Sequence, residues 1–142
     1  MQIEHTLSII KPNVIIKNSI GSIINRLEKT GLYLVASKMI KLNWEQGVSF
    51  YIEHKKKPFF KDLINFIISY PIIVQVLEGY NAIQKNREIM GHTNPEIALS
   101  GTLRSDYSDS IIKNSIHGSD SKESAKKEIR FFFKKTEIFS RI

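Results

Sequence analysis

The sequence predicts a mixed fold, α/β or α+β, in which helices cover a small sheet. Strand-like runs open the chain and return near its middle: Glu4 to Ile10 is rich in β-branched residues with a rough alternation, and Ile72 to Leu77 is continuously apolar. Between them Ile20, Ile23, Ile24 and Leu27 recur at i, i+3, i+4 and i+7, an apolar helical stripe that needs a sheet to cover. With 142 residues, 42% of them hydrophobic and 25% charged, the chain can bury one core, and one domain over residues 1–142 is expected.

Taken in order, the first strand ends at Lys11-Pro12, and Gly31 is placed to stop the helix that follows. Leu32 to Leu42 alternates again and reads as a second strand. Asn43 with Gln46 makes an N-terminal cap for a helix through His54, with Tyr51 late on it. Pro58 breaks the chain, and Phe59 to Ser69 carries Phe59, Leu63, Phe66 and Ile67 at helical spacing until Pro71. The Ile72–Leu77 run, bounded by Pro71 and Gly79, suits a buried strand. Asn81 with Gln84 repeats the cap pattern for a helix ended by Gly91. Thr93 to Ser115 shows little periodicity and reads as a long loop with a short helix near Ala98 or Asp106, and loops of that length in compact domains are usually functional or disordered. Asp120 and Glu123 form a capping-box-like pair before Ala125 and Ile129, and Ile129 to Phe133 offers a last strand-like run.

Composition narrows the function. Zero cysteines exclude a disulfide framework and any cysteine metal site. The start lacks a basic segment followed by a long apolar run, so the cytoplasm is the expected location. The most apolar stretch, Leu63 to Leu77, is interrupted by Asn65, Pro71 and Gln75 and falls short of the roughly 20 residues of a membrane span, so no membrane partner is expected. The 21 Lys and Arg against 14 Asp and Glu give +7, which favours polyanionic partners, although an Ile-, Lys- and Asn-rich composition accounts for part of the excess.

The chemistry concentrates in Lys113 to Ser121, Lys-Asn-Ser-Ile-His-Gly-Ser-Asp-Ser, which sets His117 and Ser119 just before a helix start. A helix mouth with free backbone N–H groups suits a phosphate oxygen, and a neutral imidazole is a nucleophile near pH 7. The segment Asn114-Ser115-Ile116-His117-Gly118-Ser119-Asp120 resembles the active-site signature of the nucleoside diphosphate kinases, Asn-x-x-His-(Gly or Ala)-Ser-Asp. Further family-like segments follow the family's order: Ser8-Ile9-Ile10-Lys11-Pro12, Lys57-Pro58-Phe59-Phe60, Gly91-His92-Thr93-Asn94-Pro95 and Gly101-Thr102-Leu103-Arg104.

That resemblance implies a ferredoxin-like βαββαβ antiparallel sheet with added helices and a long loop over the site. It implies that His117 takes the γ-phosphoryl of a nucleoside triphosphate, mainly ATP, and passes it to a diphosphate in a ping-pong cycle. Lys11 and Arg104 would reach the transferring phosphate, Arg87 and Thr93 the inner phosphates, and Tyr51 would hydrogen-bond in the phosphate site. Phe59 matches the aromatic on which the base stacks, with Ile111 a weaker candidate for the opposite wall, and Asn114 would hold the sugar hydroxyl. Ser119 and Glu128 match residues that orient the histidine, although eight residues of helix from Asp120 to Glu128 span about 12 Å and the fold must bring the glutamate back.

The resemblance also implies Mg²⁺ carried with the nucleotide and a homo-oligomer, a tetramer in preference to a hexamer because the chain ends early at Arg141-Ile142. The scattered histidines suggest no dedicated metal site, and no Gly-x-x-x-x-Gly-Lys-(Ser/Thr) is present, so side chains must hold the phosphates. Three departures from many relatives stand out: Asn13-Val14 replaces Asp-Gly, Lys17 an arginine, and Tyr70 a glycine. His92 reads as a surface residue. The competing reading is a basic nucleic-acid-binding module on the same scaffold, drawn from the charge and Arg130-Phe131-Phe132-Phe133, but neither inner strand carries the exposed aromatics such a module uses.

Overall fold

The computed structural model describes residues 2–142, so Met1, the first residue of the expected domain, lies outside it. Strands β1 (Ile3–Ile10), β2 (Tyr33–Ile40), β3 (Ile72–Tyr80) and β4 (Ile116–Gly118) form one sheet in the order β2-β3-β1-β4. Every neighbouring pair is antiparallel. Helices α1 (Pro12–Ile16) and α2 (Ile20–Lys29) link β1 to β2, α3 (Trp44–Phe50) and α4 (Phe60–Ile68) link β2 to β3, α5 (Ala82–Met90) and α6 (Leu103–Tyr107) link β3 to β4, and α7 (Lys122–Phe132) follows. With α2 and α5 as the crossovers this is the ferredoxin-like βαββαβ arrangement, α+β in class.

The period-2 geometry of the strands divides the core between the two faces of the sheet. Leu7, Ile9, Val74 and Val76 point to one face, where Ile64 and Ile67 of α4 and Phe132 of α7 cover them. Ile10, Ile73 and Leu77 point to the other, against Ile23 and Leu27 of α2 and Met90 of α5. Each such side chain removed from water contributes about 1.5–3 kcal/mol. β3 lies inside the sheet and is covered on both faces, which is why its sequence is a continuous apolar run. Among the described residues no helix is long and apolar enough to cross a membrane.

Several boundaries differ from the sequence reading for identifiable reasons. Ile129 to Phe133 is not a strand: it closes α7, where Ala125, Ile129 and Phe132 follow a helical period and Phe132 reaches the α4 side of the core. The last strand is instead β4, only three residues long. The α7 cap sits one residue later than expected: Ser121 Oγ accepts from the Ser124 N–H at 3.1 Å, and Asp120 accepts the Ser124 hydroxyl at 2.8 Å. Asn81 makes no side-chain cap and takes a left-handed conformation, φ 52°. Gly79 lies within β3 rather than at its end, its Cα side packed against Leu32. The Asn43–Gln46 capping box forms, but α3 stops at Phe50 and Tyr51 leads into a 3₁₀ turn over Ile52–His54. Helix α1, begun by Pro12, has no counterpart in the sequence reading, while α6 is the short helix expected near Asp106.

Candidate active site

The three residues of β4 pair with β1 through Ser8↔Gly118, Ile9↔His117 and Ile10↔Ile116, which puts His117 on the sheet rather than at a helix mouth. The mouth of α7 is closed by the Ser121–Ser124 capping box and the Asp120 carboxylate, so it is not the open anion site the sequence suggested. Hydrogen bonding to Ser124 holds the Asp120 carboxyl below its ordinary pKa against the opposing effect of burial.

His117 Nε2 lies 2.9 Å from Glu128 Oε1 on α7, and the Ser119 hydroxyl donates to the same oxygen at 2.8 Å. Ser119 Oγ in turn accepts the Leu7 N–H at 3.2 Å, while the Ser119 N–H donates to the Leu7 carbonyl at 3.1 Å. The fold thus brings Glu128 back to the histidine, because α7 doubles over the sheet after the turn at Asp120. Phe50 packs edge-on against the imidazole with centroids 5.2 Å apart.

Lys11 follows the last residue of β1 and is 4% exposed. Its ammonium donates to Asn114 Oδ1 at 2.7 Å, and the Asn114 amide reaches the Thr93 carbonyl at 3.5 Å. Burial, reinforced by the nearby Arg104 guanidinium, lowers the Lys11 pKa to about 7. Arg104, on the first turn of α6, donates to the Gly91 and Ile116 carbonyls, both at 3.0 Å, and its Nε has no partner among the described residues. Burial brings its pKa down to about 10, with Tyr51 opposing and Arg87 adding to the shift. Tyr51 is buried, and that burial together with the Glu128 charge pushes its phenol pKa up, with Arg104 opposing.

Arg87, Thr93 and Arg104 line a cleft of about 740 Å³ between α5 and the segment that precedes α6; His117 is not among its lining residues. Phe59 stands outside this hydrogen-bonded web, 36% exposed at the start of α4 with the Lys57 ammonium 5.7 Å from its ring centroid. Ile111 is also exposed. His92 is exposed, its Nδ1 accepting the Asn94 N–H at 2.9 Å.

Sequence reasoning gave no role to four neighbours of the site. His54 packs against Tyr51 with centroids 6.0 Å apart, and its buried Nδ1 has no partner among the described residues. Burial and then Lys57 lower its pKa, with Glu53 opposing. The signal available was its place three residues after Tyr51, one 3₁₀ turn. Phe50 was hidden among core aromatics. Asn13 and Lys17, noted only as departures, both hold the approach to β4: the Asn13 amide donates to Ser115 Oγ at 2.9 Å, and Lys17 pairs with Asp109 at 2.8 Å. Ser115 sits at φ 75°, a left-handed turn that aims its carbonyl at the Lys11 N–H, 2.9 Å away. Nothing in the structure explains Tyr70, which is exposed.

Comparison with known proteins places this geometry. The family model for nucleoside diphosphate kinase matches residues 4–138. The chain is 72% identical over 142 residues to the nucleoside diphosphate kinase of Wigglesworthia glossinidia brevipalpis, covering 100% of both chains. It is 57% identical over 141 residues to that of Halorhodospira halophila, covering 99% of this chain and 100% of the relative. Among solved structures it superposes on the Aquifex aeolicus nucleoside diphosphate kinase with a TM-score of 0.95 at 39% identity, covering 97% of this chain and 100% of the other. A Halobacterium salinarum nucleoside diphosphate kinase in complex with CDP matches with a TM-score of 0.95 at 36% identity, covering 99% of this chain and 94% of the other. The chain belongs to the nucleoside diphosphate kinase family.

Proposed function

We propose that this chain, as one domain over residues 1–142, transfers the γ-phosphoryl of a nucleoside triphosphate, mainly ATP, to nucleoside diphosphates through a phosphohistidine at His117, and so balances the NTP and dNTP pools. The observation that carries this reading is the shared acceptor Glu128 Oε1, which receives the Ser119 hydroxyl and faces His117 Nε2 at 2.9 Å. An ionised carboxylate only accepts, so the proton stays on Nε2 and the lone pair on Nδ1 is the nucleophile. Attack by Nδ1 forms the N–P bond as the bond from the γ-phosphorus to the bridging oxygen breaks, and the diphosphate leaves with that electron pair. A terminal oxygen of the second diphosphate then attacks the phosphorus, and the N–P electrons return to the imidazole.

Lys11 and Arg104 stabilise charge on the transferring group, Arg87 and Thr93 hold the inner phosphates, and Tyr51 donates from its phenol, which burial keeps protonated. Phe59 stacks on the base, a contact tolerant of base identity, and Asn114 binds the sugar. Asn114 already accepts from Lys11 at 2.7 Å, so sugar and phosphate are sensed by one bonded pair. No three acidic or histidine side chains converge among the described residues, which fits a Mg²⁺ that arrives on the nucleotide, held by phosphate oxygens and water. When bound it neutralises phosphate charge alongside the basic side chains.

Self-association is supported by β2, which edges the sheet with Tyr33 and Met39 exposed; the number of copies, proposed as a tetramer in preference to a hexamer, is read directly by light scattering. A cytoplasmic location is supported by the cysteine-free sequence.

The test mixes protein, Mg²⁺ and γ-labelled ATP and asks for an acid-labile, alkali-stable label that leaves on adding GDP. Label on the wild type and none on His117→Ala is the expected result. Equal label on both, or none on either, overturns the mechanism.

A further inference from the structure

Away from the nucleotide cleft the sheet has a second unguarded edge. β4 covers only the last part of β1, pairing with Ser8, Ile9 and Ile10. The bonds of Leu7 to Ser119 and of Lys11 to Ser115 show that odd-numbered residues of β1 send their backbone N–H and C=O toward the β4 side. Ile3 and His5 share that parity, and on that side their backbone groups meet no partner strand among the described residues.

A slot of about 510 Å³ opens along this edge between α5 and α7. Ile83 walls one side, and Ala125, Ile129 and Phe133 give the other an apolar floor. Lys122, Lys126, Arg130 and Lys135 line its rim, against one acidic side chain, Glu4. That acid is already engaged, accepting the Ile83 N–H at 3.3 Å with Lys122 4.0 Å away. Lysines over an exposed edge are a common guard against pairing between copies. A guard needs no apolar floor, however, and here the floor runs about two helical turns, from Ala125 to Phe133, about 12 Å.

We infer that the free edge of β1 beside α7 is a docking site for an extended, acidic segment of a partner protein, which adds a strand at Ile3 and His5. Backbone pairing supplies register, apolar side chains cover Ile3 and Ile129, and carboxylates meet the basic rim. A second copy of this chain lacks the matching charge. Its other exposed edge, β2, reads Tyr-Leu-Val-Ala-Ser-Lys-Met-Ile and brings a lysine and no acid. The site involves none of the residues assigned to phosphoryl transfer, so its failure would leave the kinase reading intact.

The probe is a fluorescein-labelled peptide, Glu-Val-Asp-Val-Glu-Val, titrated with the intact protein at low salt. Saturable binding with a Kd of roughly 100 μM is expected, at least about tenfold weaker for the Lys126→Glu, Arg130→Glu double variant. The variant should keep wild-type kinase turnover, a check that it is folded. The same peptide N-methylated at alternate residues should lose binding, and hydrogen exchange at the Ile3 and His5 amides should slow when the parent peptide is bound. No binding below about 1 mM overturns the inference. So does equal binding of the N-methylated peptide, which would make the slot a plain polyanion site. A change in the mass of the double variant by light scattering would also overturn it, by assigning the face to contact between copies.

Discussion

Nucleotide binding should draw a proton from solution onto Lys11. In the free protein burial and Arg104 bring its pKa from 10.5 to about 7, so at pH 8 only about a tenth of the molecules carry the ammonium. A phosphate placed against Nζ favours the charged form and restores the ordinary range, so saturation at pH 8 takes up about 0.9 proton per site. Titration calorimetry with ADP in two buffers of different ionisation enthalpy gives that number as a slope. At pH 6 the slope should fall to about 0.1, and in Lys11→Arg, whose guanidinium is always charged, the excess uptake at pH 8 should vanish. Uptake at pH 8 no larger than at pH 6, or unchanged in Lys11→Arg, refutes the reasoning. The same shift has a sign for stability. The unfolded chain holds this proton up to 10.5 and the folded one releases it near 7, so the contribution of Lys11 to stability rises with pH across that window. Below it the buried charge costs about 5 kcal/mol. Replacing Lys11 by Met should therefore stabilise the free protein at pH 6 by about 2–4 kcal/mol, once the orphaned Asn114 oxygen is deducted, while abolishing turnover.

Glu128→Gln can donate to Nε2 and so admits the wrong tautomer; single-turnover phosphorylation of His117 should slow about 10²–10³-fold with nucleotide affinity unchanged, and an unaltered rate would remove Glu128 from its proposed role. Gly91→Ala combines a left-handed φ of 84° with a methyl 2.6 Å from Thr102 Cβ; it should lower stability by about 2–4 kcal/mol in denaturant titration and weaken ADP binding, because the Gly91 carbonyl seats Arg104. Asn43→Ala removes the formed capping box at the end of α3 opposite to Phe50, and should lower stability by about 1 kcal/mol at unchanged kcat.

The parts of the fold legible in the sequence are those whose burial repeats with a period. The stripe of α2 and the continuous run of β3 follow directly from which faces are covered. Short elements carry no period: α1 is five residues begun by a proline, and β4 is Ile-His-Gly. Phe131, Phe132 and Phe133 mimic a strand because three consecutive apolar residues satisfy either pattern, and only the tertiary contact of Phe132 with the core decides for helix. The same distinction runs through the site. His117 was legible from its motif, but the reach of Glu128 depends on α7 folding back across eleven positions, and the burial of Lys11 on a partner, Asn114, 103 positions away; neither has a local signature. The departures at Asn13 and Lys17 likewise acquire meaning only once the segment before β4 lies against α1.

The pairing of β4 with β1 divides the site into halves with different tolerances. His117 is registered to the sheet by strand pairing and by the Ser119 link to Leu7, whereas Thr93 stands at the start of the irregular segment before α6. In a two-step transfer the first nucleotide must depart before the second arrives, so the cleft has to exchange its contents while the cargo stays behind. A berth tied to the sheet and a gangway built of loop suit that: the segment that carries Thr93 can shift without moving His117, the proposed phosphoryl acceptor. Insertions in residues 92–102 should therefore alter nucleotide exchange long before they disturb the lifetime of the phosphorylated protein.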